Sequence, residues 1–222
     1  MRLGPYAITA QIGAGGMGEV WRAVDERLGR EVAVKVLPDR LASEPAAVVR
    51  LEREARAVAA LSHPNILALY DVGRTEGVFY VVTELLRGVS LRTRLVEGPL
   101  PTRIAVEYGL QIAQGLAAAH DRGLIHRDIK PENVFVTHDG HVKILDFGLA
   151  RLEIDPAGWE ANNPAATTVA ASPTLPGTLL GTPGYMSPEQ VLGQRADHQS
   201  DIFSLGAVRS GEGTQGPTAC HS

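Results

Sequence analysis

The stretch "LIHRDIKPENVFVTHDGHVKILDF", residues 124–147, constrains this chain more than any other. It contains two short strand-like pieces, "NVFVT" and "HVKIL", separated by the hairpin signal "HDG". The loops that bracket these strands supply Asp128, Lys130, Asn133 and Asp146. Lysine is scarce: Lys35, Lys130 and Lys143 are the only ones in 222 residues, so each invites a functional question.

Ahead of this stretch the chain alternates like strands. "YAITAQI", "GEVWRAVD", "EVAVKVL", "ILALYDVG" and "VFYVVTEL" predict five strands before residue 86. Residues 43–61 predict one helix among them, with apolar Leu51, Ala55 and Val58 on one face. The composition then turns helical: "TRIAVEYGLQIAQGLAAAHDRG" sets Ile104, Tyr108, Ile112 and Leu116 four apart, with Gly123 as the stop. Residues 155–178 are rich in Ala, Pro, Thr, Ser and Asn without an apolar period, and are expected to form a mobile surface loop.

Composition excludes several classes of function. The net charge of −4 and the absence of like-charge runs give no basic footprint for nucleic acid. A single Cys, Cys220, excludes a disulfide framework and fits a reducing cytoplasm. No leader-like apolar region follows Met1 and no membrane-length apolar run occurs, so a cytoplasmic chain without a membrane segment is expected.

The turn "GAGGMGEV" places Gly13, Gly15 and Gly18 in G-x-G-x-x-G spacing, which lets backbone N–H groups approach phosphate oxygens. A dinucleotide-binding turn needs a helix after Gly18, but "EVWRAVDE" alternates as a strand. "VAVK" sets Lys35 on the third strand, where its ammonium could reach phosphates held under the turn.

Together with "GTPGYMSPEQ" and "SDIFSLG", these motifs make the chain resemble the eukaryotic-like, bacterial-type Ser/Thr protein kinase family over residues 6–208. The resemblance implies an α+β, two-lobed fold: a small five-stranded antiparallel lobe with one helix (1–86) and a mainly α-helical larger lobe that is incomplete here (87–208), followed by a disordered tail (209–222). It implies transfer of the γ-phosphoryl of ATP to Ser or Thr of a protein substrate, by positioning and electrostatics more than by covalent chemistry. In that scheme Asp146 and Asn133 hold Mg²⁺, Asp128 orients the substrate hydroxyl, and Lys130 neutralises the γ-phosphate. Lys35 binds the α/β-phosphates and is steadied by Glu54. Thr83 lies behind the adenine, and Glu84 and Leu86 offer it backbone hydrogen bonds, for which their side chains need not matter. Ile12, Val20, Ala33 and Phe135 complete the nucleotide-binding set, and His126 and Phe147 pack with Val58 and Leu69.

Arg127, before the catalytic Asp, implies a cationic pocket ordered by a phosphorylated loop. Thr178 is the first candidate phosphosite and Thr174 the second, with self-association for autophosphorylation, while Thr182 bonds to Asp128 and Lys130. The helix-like pattern of "SDIFSLGAV" is expected to fail after Val208, where glycines accumulate, leaving Glu189 without the Arg partner the family supplies. The alternative function is therefore a truncated, non-catalytic kinase-like protein that binds a nucleotide or a partner.

Overall fold

The computed structural model describes residues 1–15, 18–37, 45–147, 183–194 and 196–213. Thr174, Thr178 and Thr182 lie outside the described residues. The first part is an antiparallel sheet of strands β1 (Arg2–Leu3), β2 (Tyr6–Gly15), β3 (Gly18–Asp25), β4 (Arg30–Val36), β5 (Leu69–Thr75) and β6 (Val78–Glu84), in the order β1-β2-β3-β4-β6-β5. The five expected strands are all present. The sixth, β1, pairs Leu3 with Tyr6 and is too short to show a period.

Alternation along β4 divides the sheet into two faces. Val32 and Val34 turn toward a core with Leu3, Tyr6, Ala23, Tyr80 and Val82. Ala33 and Lys35 point the other way, and the register opposes Lys35 to Val20 and Val81, and Ala33 to Thr83. Helix α1 (Pro45–Ala59) packs against β5 and buries Ala55 and Val58.

The second part contains helices α2 (Leu91–Val96), α3 (Thr102–His120), α4 (Pro188–Val191) and α5 (His198–Gly213). Beside them lies a small sheet of β7 (Gly88–Ser90), β8 (Val134–Thr137) and β9 (Val142–Ile144) in that order. Ser90 caps α2, its Oγ accepting from the Thr93 N–H at 3.1 Å. Gly88 has a positive φ of 155°, and a Cβ there would stand 2.1 Å from the Val136 carbonyl oxygen, so only glycine lets β7 approach β8. In α3 the expected stripe holds: Ile112 and Leu116 are fully buried, Ile104 and Tyr108 pack at the margin, and the helix ends three residues before Gly123.

Residues 65–67 join the two parts by running beside β9. Ile144 N–H donates to the Asn65 carbonyl at 2.8 Å, and Leu67 N–H to the Ile144 carbonyl at 2.9 Å. Continuous burial from Val58 through Ile66 and Ile144 to Ile112, Leu116 and Val208 forms the main core.

One expectation about the C-terminal region is corrected. Helix α5 does not stop at Val208 but runs to Gly213. Glycine propensity is a weak prior against tertiary packing, and the Arg209 stem lies over Gly109 of α3, where a Cβ would meet its Cδ at 3.1 Å. Glu189 has no Arg partner among the described residues; instead the Ser200 hydroxyl donates to its Oε1, and this bond leads the causes that hold its carboxyl below the ordinary value of 4.5. Val191, Leu192, Ile202 and Phe203 in this region remain exposed among the described residues.

The Glu189 bond has a pH signature. A carboxyl whose folded pKa lies below its unfolded value contributes stability above about pH 4.5, and loses it as pH falls through the folded value. Ser200→Ala is therefore expected to lower stability at pH 7, with the gap to the parent chain closing as the pH falls below 4.5. Denaturant titrations across this range check it; a constant gap would refute it.

Candidate active site

The loop between α3 and β8 brings its chemistry together through short bonds. Asp128 Oδ2 accepts from Lys130 Nζ at 2.8 Å and from Asn133 Nδ2 at 2.9 Å, and the same Nδ2 donates to the Asp128 carbonyl at 2.8 Å. Asn133 opens β8 from a 3-10 turn, Pro131–Asn133, and is 6% exposed. With its nitrogen committed to Asp128, its Oδ1 is left as the acceptor of that amide.

The backbone of this loop is held by Asp201, in the first turn of α5 and fully buried. Its Oδ1 accepts from Arg127 N–H at 2.7 Å, and its Oδ2 from His126 N–H at 2.8 Å and from His120 Nε2 at 2.7 Å. Arg127 has a positive φ of 67°, a conformation that costs a non-glycine residue about 1–3 kcal/mol and persists only where neighbours enforce it. His126 Nδ1 accepts from Asp128 N–H at 3.2 Å, so the ring proton sits on Nε2, which donates to the Leu145 carbonyl at 2.7 Å. The ring meets Phe147 edge to face at 4.8 Å between centroids, and Phe147 closes a small cavity with Val58 and Leu69. These two side chains pack, as expected.

Asp146 follows β9, also at positive φ (54°), and its Oδ2 accepts from Lys35 Nζ at 2.8 Å. Lys35 thus pairs with Asp146 and not with Glu54, the partner expected from the sequence. Glu54 lies half-buried on α1. The sheet register sets Val20, Ala33 and Thr83 on the Lys35 face, with Gly13 opposite Val20 and Gly15 opposite Gly18. Ile12 is half exposed at a register shift in β2. Gly18 is required by the fold itself: φ is 107°, and a Cβ would stand 2.0 Å from the Val36 carbonyl oxygen.

Lys143 gives the arrangement that sequence reading missed. It sits opposite Phe135 in the β8–β9 register, so the two share the face turned from the Val134 and Ile144 core. Its Nζ donates to Glu84 Oε1 at 2.7 Å, and that oxygen also accepts from Ala68 N–H at 2.8 Å. The Glu84 side chain thus has a structural part. It ties the end of β6 to β9 across the segment that contains Leu86, while Glu84 N–H donates to the Ala68 carbonyl at 3.0 Å. That bond occupies the Glu84 amide and leaves its carbonyl, which the Thr83 hydroxyl reaches at 3.3 Å. All three lysines are thus in partly buried ion pairs.

This combination, a glycine-turned sheet edge over Lys35 and a loop that presents Asp128, Lys130 and Asn133 beside Asp146, matches the protein kinase domain model over residues 6–210, and the chain belongs to that family. It falls in the bacterial Ser/Thr branch: it is 42% identical over 204 residues to serine/threonine-protein kinase PknL of Mycobacterium tuberculosis, covering 91% of this chain and 47% of that one. PknA of the same species is 42% identical over 211 residues, covering 92% and 46%, and pkn2 of Myxococcus xanthus is 39% identical over 208 residues, covering 92% and 24%. The chain thus spans less than half the length of these relatives. Among solved structures, a cysteine-to-alanine variant of the Mycobacterium tuberculosis PknI kinase domain superposes with a TM-score of 0.72 at 25% identity, covering 96% of this chain and 75% of that one. No helix among the described residues is long and apolar enough to cross a membrane.

Proposed function

We propose that this chain carries the catalytic machinery of a Ser/Thr protein kinase and transfers the γ-phosphoryl group of ATP to a protein hydroxyl. The observation that supports this most is the shared Asp128 carboxylate. Lys130 and Asn133 both bind Oδ2, and among the described residues Oδ1 has no such partner. Oδ1 is the atom to accept the substrate hydroxyl proton as the oxygen–phosphorus bond forms and the bond from Pγ to the bridging oxygen breaks, with ADP leaving.

Lys130, held at the Asp128 carboxylate, is within the loop that meets the transferred phosphoryl and offsets its charge. Lys35 binds the α/β-phosphates once it exchanges its bond to Asp146 for them. Asp146 and Asn133 Oδ1 are hard oxygen donors that fit Mg²⁺. Bound there, magnesium supplies positive charge against the phosphate oxygens. The adenine packs between Val20 and Ala33 above and Phe135 below, beside Thr83, and the Glu84 carbonyl and the Leu86 backbone face it. Phosphorylation of Thr178 or Thr174, through contact with a second copy, is the regulation proposed, and a cytoplasmic location suits it.

A non-catalytic, partner- or nucleotide-binding role is the second reading, supported by the Lys35–Asp146 bond and the exposed Ile202 and Phe203. Phosphate transfer from labelled Mg-ATP to a generic Ser/Thr substrate separates the two, with Asp146→Asn as the control. Transfer by the parent chain and none by the variant is expected. Equal signal from both overturns the kinase reading.

A further inference from the structure

Gln190 belongs to no part of the machinery described so far, yet both ends of its amide are used. It occupies the third helical position of α4 after the cap Ser187, in the stretch "SPEQ". As in a capping box, Oε1 accepts from Ser187 N–H and Ser187 Oγ, each at 3.1 Å. That commitment turns Nε2 away from the cap, and Nε2 donates to the Arg127 carbonyl at 2.7 Å, 63 positions earlier in the chain. Glu fills this position of a capping box as well as Gln does. The amide nitrogen has no role in the cap, and its bond to Arg127 is a separate function.

The Arg127 carbonyl is a consequential acceptor. Its residue is at φ 67° and its peptide leads directly into Asp128. The peptide between Arg127 and Asp128 is held at its N–H, where Asp128 N–H donates to His126 Nδ1 at 3.2 Å, and at its C=O by Gln190, while Asp201 holds the two preceding amides, those of His126 and Arg127. A peptide gripped on one side alone can still rotate. Gripped on both, it fixes the direction in which the Asp128 side chain leaves the backbone.

We propose that Gln190 is a positioning residue that locks the Arg127–Asp128 peptide, and that through Ser187 it links the orientation of Asp128 to the seating of the α4 turn. The effect on catalysis rests on the kinase reading above, whereas the lock itself does not. Gln190→Glu keeps the capping acceptor and replaces the donor with a carboxylate oxygen facing a carbonyl, so it removes the lock and spares the cap. Gln190→Met, of similar length and unable to make either bond, is the second variant.

The full chain is assayed for kcat and for the KM of ATP, and for amide hydrogen exchange in residues 126–130, with residues 102–120 of α3 as the reference for global opening. Gln190→Glu is expected to lower kcat about tenfold, the scale of one lost hydrogen bond in the transition state, with the KM of ATP unchanged. Exchange at 126–130 should rise while α3 stays protected. Unchanged exchange at 126–130 in both variants overturns the lock, whatever the activity. If the parent chain transfers no phosphate, faster exchange in Gln190→Glu upholds the lock while the kinase reading falls. If Gln190→Glu loses protection in α3 as well, Gln190→Met decides: local exchange supports the lock, and the same global loss overturns it.

Discussion

Asp201→Ala will destabilise the chain by about 3–9 kcal/mol, because it takes a buried acceptor from three donors at about 1–3 kcal/mol each. The donors are His126 N–H, Arg127 N–H and His120 Nε2, all bonded to a carboxylate that is fully buried. The lost charge also favoured the N-terminal turn of α5. Against a typical whole-domain stability of about 5–15 kcal/mol, this is a large fraction. Asp201→Asn should help little: an amide has one oxygen for the three donors, and its NH₂ would face an N–H. Urea denaturation checks the prediction, and a loss below about 1 kcal/mol for the alanine variant would contradict it.

Asp128→Ala carries the largest expected effect on activity. Removing a positioned proton acceptor lowers rates by about 10²–10⁴-fold. Asn133 keeps its bond to the Asp128 carbonyl at 2.8 Å, so the loop should hold its shape. The KM of ATP should change little, since Asp128 is not assigned to the nucleotide. Lys35→Met should instead raise that KM. Steady-state kinetics at varied ATP separate the two, and a KM increase with normal kcat in Asp128→Ala would assign this carboxylate to nucleotide binding.

The two-part α+β architecture was legible because its signals are local. Alternation in "EVAVKV" and the four-residue stripe from Ile104 to Leu116 each report a buried face within a few turns of chain. Strands β1 and β7 escaped notice because two or three residues hold no period, and what makes them strands is a partner elsewhere, Tyr6 for Leu3 and Val136 for Val89. The end of α5 was misread for the opposite reason: its glycines are a local signal, overridden where Arg209 packs on Gly109.

At the site, the loop residues Asp128, Lys130 and Asn133 could be named from sequence because they lie close in the chain and their bonds are short-range. Pairing was the harder matter. A strand lysine such as Lys143 reads as solvated until the fold brings Glu84, 59 positions away, against it. Lys35 was assigned to Glu54, and its bond to Asp146, which follows β9 at a positive φ, joins residues 111 positions apart and has no local signal. The role of Gln190 has no local signal, because its bond to the Arg127 carbonyl requires the tertiary placement of that residue.

The engagement of every lysine has a practical consequence. Lys35, Lys130 and Lys143 keep only 13%, 15% and 17% of their side-chain surface in contact with solvent, each within 2.8 Å of a carboxylate oxygen. An acylating reagent therefore meets three guarded lysine amines. Because the three lie at the glycine-turned sheet, the Asp128 loop and the junction between the lobes, the chain carries its own set of chemical gauges. The order in which the lysines become acylated records which of these regions opens first.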